Sequence, residues 1–130
     1  MYRGLCLIVA VSLAGCGLSM ASPDLFLLTR SGQGGTITLR VSDDGTLHCN
    51  GAPRTPLSDK VLLQARDLAS TLDKDAKAGL DISRTPDSIY SYTIKLQDGT
   101  IRFPDTAAAV HHELAQAELF ALQTIQGSCG

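Results

Sequence analysis

Four cysteines, three histidines and a scatter of aspartates are the residues here with chemistry to offer, and their spacing decides which chemistry. His111, His112 and Glu113 form the densest cluster and have the residue types of a zinc site. Adjacent helical residues point about 100° apart, so the three do not converge on one ion. The HExxH spacing that would bring them together is absent. His48 beside Cys49 fails for a related reason, because strand neighbours face opposite sides. Ser31 and Ser42 lie near glycines without a GxSxG elbow, and no pattern marks a serine–histidine–acid triad drawn from distant segments. Asp43, Asp44 and Asp105 are calcium-type carboxylates, but EF-hand spacing is missing and the first two precede a glycine in an ordinary turn pattern. Gly34-Gly35 lacks the lysine and the following helix of a phosphate loop. Tyr90 and Tyr92 read as half-buried core rather than a stacking platform. The expectation is a chain with no catalytic residues, no metal site and no cofactor.

The cysteines carry a different chemistry. Arg3 and the terminal amine precede an apolar run from Leu5 to Ala14, which is too short for a bilayer span and has the length of a signal-peptide core. It ends in Leu13-Ala14-Gly15-Cys16. This tetrapeptide resembles a bacterial lipobox, where small residues pass a narrow peptidase groove and the thiol accepts a diacylglyceryl group as a thioether. The resemblance implies that residues 1–15 are a signal peptide, that Cys16 is lipidated, and that 16–23 form a tether. Two or more acyl chains such as palmitate would anchor the chain stably, outside the cytoplasm on a bacterial cell membrane. Ser19-Met20-Ala21 offers the alternative of ordinary secretion with cleavage after Ala21. Cys6 belongs to the removed segment, which leaves Cys49 and Cys129. Two thiols in an exported domain usually pair, so a disulfide is expected, with two free thiols as the alternative.

The remaining 24–130 must position whatever function exists. With 130 residues in all, 44% hydrophobic and 18% charged, one globular domain is the expectation. A formal charge of -2 and the lack of any basic run argue against nucleic acid as a partner. Leu25 to Arg30 reads as a buried strand, interrupted by Ser31-Gly32-Gln33-Gly34-Gly35. Thr36 to Ser42 alternates, with Ile37, Leu39 and Val41 inward. Asp43-Asp44-Gly45 signals a hairpin, and Leu47 and Cys49 face inward on the returning strand. After a loop broken by Pro53 and Pro56, Ser58 caps a helix with the stripe Val61, Leu62, Ala65, Leu68, Ala69 and Leu72, ended by Gly79. Tyr90, Tyr92, Ile94 and Leu96 share a strand face, Asp98-Gly99 turns the chain, and Ile101 and Phe103 point inward. Asp105 or Thr106 caps a last helix whose stripe is Val110, Leu114, Ala117, Ala121, Leu122 and Ile125, closed by Gly127. Hairpins rather than parallel crossovers imply an α+β fold: βββαββα, an antiparallel sheet of about five strands with two helices on one face.

Three segments give the domain a resemblance of their own. Thr29-Arg30-Ser31-Gly32-Gln33-Gly34-Gly35-Thr36-Ile37, then Ser88-Ile89-Tyr90-Ser91-Tyr92-Thr93-Ile94 leading into Gln97-Asp98-Gly99, then the helix from Val110 to Ile125, are similar to emfourin-like inhibitors of thermolysin-type metallopeptidases. The resemblance runs from Leu25 to the end and implies a peptidase partner met by the glycine turn Ser31–Gly35. Gln33 stands where that family carries an exposed apolar residue, and Cys49 and Cys129 are additions, so the resemblance speaks more for the fold than for inhibition.

The expected function is therefore an exported, lipid-anchored, non-enzymatic binding module, touching the membrane through its lipid and a protein partner through the glycine loop and an exposed sheet edge. A structural envelope lipoprotein without a discrete ligand is the second expectation. A hydrolase is the third, and needs a pocket joining His48 or His111 to a serine and a carboxylate.

Overall fold

The computed structural model describes residues 24–129. The signal segment 1–15, the tether 16–23 with Cys16, the alternative cleavage position after Ala21, and Gly130 lie outside the described residues. In chain order the elements are β1 (Asp24–Gly32), β2 (Gly35–Ser42), β3 (Thr46–Cys49), β4 (Thr55–Pro56), α1 (Asp59–Ala78), β5 (Ser91–Leu96), β6 (Gly99–Pro104), a 3-10 helix (Asp105–Ala109) and α2 (His112–Ser128). The six strands form one antiparallel sheet in the order β4-β3-β2-β1-β5-β6. The fold is α+β, one strand richer than expected. The extra strand, β4, is a two-residue pairing with Thr46 and Leu47 inside the proline-broken loop. Pairs so short leave no periodic signal.

Strand alternation builds the core. Phe26 and Leu28 of β1, Leu39 and Val41 of β2, Leu47 and Cys49 of β3, Tyr92 and Ile94 of β5, and Ile101 and Phe103 of β6 all bury on one face. Ala65, Leu68, Leu72 and Ala76 of α1 and Leu114, Ala117, Phe120 and Ala121 of α2 cover that face. The rings of Phe26 and Phe120 meet edge to face at 5.6 Å, and Tyr92 stacks on Phe103 at 5.1 Å. Among the described residues no helix is long and apolar enough to cross a membrane.

Helix α1 starts and stops where its caps dictate. Val61 N–H donates to Ser58 Oγ at 3.3 Å. At the other end Gly79, with φ 63°, and Leu80 return N–H groups to the carbonyls of Ala76 and Asp75. The polar stretch Asp73–Ala78 is part of the helix.

The last helix departs from expectation in three ways. Asp105 opens a 3-10 helix instead of α2, and the chain breaks at Val110 and His111 before α2 begins. That break rotates the register, so Val110 is 83% exposed and Leu122 is 44% exposed, while Phe120 and Thr124 are buried. Gly127 lies inside α2, which runs on to Ser128.

Candidate functional site

The sheet has two unlike ends. At the first, the turns Asp43–Gly45 and Gln97–Asp98 meet α1. Arg66 of α1 donates from Nε to Asp43 Oδ1 at 3.1 Å and from Nη2 to the Asp43 carbonyl at 3.0 Å. Lys77 lies 2.7 Å from Asp73 and 3.9 Å from Asp98. Gly99 carries no positive φ; it is small because a Cβ there would overlap the Ala76 carbonyl of α1. Gly45 does have φ 88°, and its N–H closes the turn on the Ser42 carbonyl at 3.1 Å.

The second end belongs to the β1–β2 hairpin. The five predicted loop residues divide here. Ser31 and Gly32 complete β1 and Gly35 opens β2, so the turn proper is Gln33 and Gly34, both exposed. Gly35 supplies the positive φ, 103°, and a Cβ added at Gly34 would meet no atom within 4 Å. Ser31 Oγ and Thr36 Oγ1 pair at 3.2 Å across the two strands. The hairpin outruns its neighbours. Pairing of β1 with β5 ends at Ser31 and Ser91, and pairing of β2 with β3 ends at Leu39 and Cys49. Asn50, with φ 50°, then stops β3 by accepting the Thr38 N–H on its Oδ1 at 2.8 Å and donating its own N–H to the Thr38 carbonyl at 2.9 Å. Strand alternation therefore aims the N–H and C=O of Thr36 out of the sheet beyond that plug. This is where an open edge survives. At the opposite margin both backbone groups of Arg102 in β6 are taken by Leu80 and Ile82.

Residues to which the sequence assigns no bracing role support the hairpin's base. The Tyr90 ring fills the space beside Gly32, where a Cβ would come within 2.5 Å of it. The Arg30 guanidinium lies 4.5 Å from the centroid of the same ring. Both Asp105 carboxylate oxygens accept the Ile89 N–H, at 3.1 and 3.2 Å, and Oδ1 also accepts from Thr106. Ile89 itself is 62% exposed. Glu118 of α2 is half-buried, with its Oε1 shielded from solvent and without a hydrogen-bond partner. Burial first, and then the Asp105 charge, push its carboxyl up to about 7. The Tyr92 hydroxyl is also pushed up, by burial and then by Glu118, with Arg30 opposing. One signal for Glu118 was present: helical geometry sets it between Leu114 and Ala121, a carboxylate inside the apolar stripe.

The remaining candidate residues do not join into one site. Cys49 and Cys129 form a disulfide, with Cα atoms 5.6 Å apart, that ties the end of α2 to β3. His48 accepts from Arg54 Nε at 3.2 Å, and His112 pairs with Gln116 at 3.3 Å. His111 lies 3.5 Å from Glu113, whose neighbour across the helices is Asp75. Asp75 is pushed up by burial and by Glu113, whereas a backbone N–H, Asp75 and His111 hold Glu113 down. Among the described residues no group of three His, Cys, Asp or Glu side chains is placed to hold a metal ion. Two clefts lack histidine. One, of about 470 Å³, runs between α1 and α2, where Gln64, Asp67 and Thr71 face Gln116, Leu119 and Phe120. The other, of about 350 Å³, gathers Asp24, Asp43, Asp73 and Asp98 at the α1 end. Arg40, Arg66 and Lys77 pair with those four carboxylates, which gives the acidic cluster a structural explanation.

The described residues thus define an α+β antiparallel-sheet protein with one projecting glycine hairpin. Comparison with family models, curated proteins and solved structures finds no match.

Proposed function

We propose that this protein is an exported, lipid-anchored binding module that performs no catalysis and engages a protein partner with its β1–β2 hairpin. The observation that carries the recognition is the hairpin's projection. Its tip, Gln33-Gly34, stands free of every neighbouring strand, while Tyr90 and Arg30 brace its base. A braced, protruding turn loses little freedom when it enters a partner's cleft, which favours binding. The open N–H and C=O of Thr36 add a short edge for main-chain hydrogen bonds. A peptidase is the first class of partner to test, on the glycine turn and the tyrosine-bearing hairpin that resemble emfourin-like inhibitors. The location rests on Leu13-Ala14-Gly15-Cys16 and on the thiol that would carry the lipid.

Two assays test the two halves. Purified protein added to a thermolysin-type metallopeptidase should inhibit it, and Gly34→Glu should abolish inhibition while leaving the fold intact. Inhibition unchanged by Gly34→Glu removes the hairpin from the account, and no inhibition removes the peptidase. For location, Cys16→Ser should move the protein from the membrane fraction to the soluble one. A serine variant that stays membrane-bound refutes the anchor.

A further inference from the structure

Asn50 is the only asparagine in the chain, and Gly51 follows it. It is also the plug on the edge of β2: its Oδ1 accepts the Thr38 N–H at 2.8 Å, and its own N–H reaches the Thr38 carbonyl at 2.9 Å. Both residues of the pair are exposed, and both have left-handed backbones, with φ 50° and 73°. The turn closes from the Ala52 N–H to the Cys49 carbonyl at 2.8 Å, and among the described residues no acceptor takes the Gly51 N–H. A Cβ added at Gly51 would meet no atom within 4 Å, so this side of the turn is open to water. An amide, a nitrogen nucleophile and water therefore share one place. A bond from the Gly51 nitrogen to the Asn50 Cγ closes a five-membered ring, and glycine brings no side chain to obstruct the rotation it needs. The Thr38 N–H is already on Oδ1, where negative charge gathers as that ring closes.

We propose that Asn50 is a self-deamidating site whose isoaspartyl product unplugs the sheet edge. The Gly51 N–H gives its proton to hydroxide, and its nitrogen bonds to the Asn50 Cγ. The Cγ–Nδ2 bond then breaks, ammonia leaves, and a succinimide remains. Water opens that ring at either carbonyl. Opening at Cγ gives aspartate, whose carboxylate still accepts the Thr38 N–H. Opening at the main-chain carbonyl gives isoaspartate, which routes the backbone through Cβ and Cγ and lengthens it by one methylene. The acceptor and the N–H that gripped Thr38 then no longer share their spacing, and the pair of bonds is lost. The free edge grows from Thr36 to Thr36 and Thr38 together. The modification is a property of the fold alone. Its consequence, a longer edge for a partner strand, rests on the hairpin being the binding element.

Peptide mass mapping of the purified full chain, held folded in mildly alkaline buffer, reads the site directly and needs no partner. Asn50 should gain the mass of an amide-to-acid change, and isoaspartyl methyltransferase should label the product. Gly51→Ala, whose methyl hinders ring closure, should slow the change by about tenfold. In the isolated isoaspartyl form, hydrogen-exchange protection of the Thr38 amide should fall about tenfold, the scale of one lost hydrogen bond. In Asn50→Asp it should stay at the native level. An Asn50 that remains an amide in the folded chain, while the urea-unfolded chain deamidates, overturns the site. An isoaspartyl form with Thr38 as protected as in the native chain overturns the unplugging. Should Gly51→Ala fail to fold, the comparison of folded with unfolded chain still decides. If isoaspartate forms and exposes Thr38 while partner binding stays unchanged, the modification stands and the hairpin edge fails as a binding surface.

Discussion

The two ends of the sheet are built from the same kind of turn and treated in opposite ways. At the α1 end, Asp43 is hydrogen-bonded to Arg66, Asp98 lies near Lys77, and Gly99 is pressed against the Ala76 backbone. At the hairpin end, Gln33 is exposed and a Cβ added at Gly34 would meet no atom within 4 Å, and support comes from beneath, through Tyr90 and Arg30. Glycine illustrates the difference. Gly99 is required because a helix backbone occupies the place of its side chain, whereas a Cβ at Gly34 would meet open space. One end serves stability and the other is free to serve recognition. A turn that contributes nothing to packing but is held rigid at its base is the cheaper place to put a binding surface.

The largest expected effect sharpens this contrast by removing the hairpin end's covalent support. The bridge from Cys49 to Cys129 closes 80 residues and secures β3 one position short of the plug at Asn50. Replacing both cysteines with alanine should cost about 4 kcal/mol in urea unfolding, by restoring freedom to the unfolded chain. A loss below about 1 kcal/mol would mean that packing alone secures this end. Next comes the α1 end. Gly99→Ala forces β6 away from Ala76 and should cost about 3 kcal/mol, with a lower melting temperature. A variant as stable as the native chain would show that α1 can shift, and the comparison of a fixed end with a free one would lose its basis.

Much of this was legible in the sequence, and the failures have physical causes. Local signals worked where local physics decides: Ser58 and Gly79 cap α1 through their own side chain and φ, and Gly45 turns the chain because it tolerates φ 88°. The α+β class followed from hairpin spacing and period. Gly99 looked like another turn residue, but its reason lies 23 positions away at Ala76, beyond any local pattern. The expected α2 stripe fails at Val110 and Leu122 because the 3-10 segment resets the helical phase, and no residue type announces that reset. Of the proposed binding surface, the glycines were visible from the start. Strand alternation puts Tyr90 on the correct face but not in its role as a brace, and spacing reads Asp105 as a calcium-type carboxylate or a helix cap, not as the partner of the Ile89 N–H. Contacts such as Asp105 with Ile89 come from strands meeting at one end of a sheet, which composition and spacing do not encode.

A smaller effect tests how the hairpin end responds to pH. The Glu118 carboxyl is higher in the folded chain, at about 7, than its ordinary value of 4.5. Its favourable contribution is therefore complete below about pH 4.5 and is lost as pH rises through 7. Relative to the native chain, Glu118→Gln should gain about 1 kcal/mol of stability between pH 5 and pH 8, after allowance for partial solvent screening. A constant difference across that range would place the strain of this end somewhere other than Glu118.

The smallest stability effect carries the sharpest functional consequence. Gly34 lacks a positive φ, and a side chain there meets no atom within 4 Å. Gly34→Ala should therefore leave stability within about 0.5 kcal/mol of the native chain, or raise it slightly by restricting the unfolded state. Gly34→Glu should be equally silent in unfolding yet weaken partner binding by tenfold or more, about 1.4 kcal/mol, because the tip meets the partner. Gly35→Glu is the matched control, since φ 103° there strains any side chain and lowers stability along with binding. Binding lost at Gly35 but retained at Gly34→Glu would locate the effect in a distorted fold rather than at the tip. Loss at both positions, with stability lost only at Gly35, separates recognition from folding within two adjacent residues.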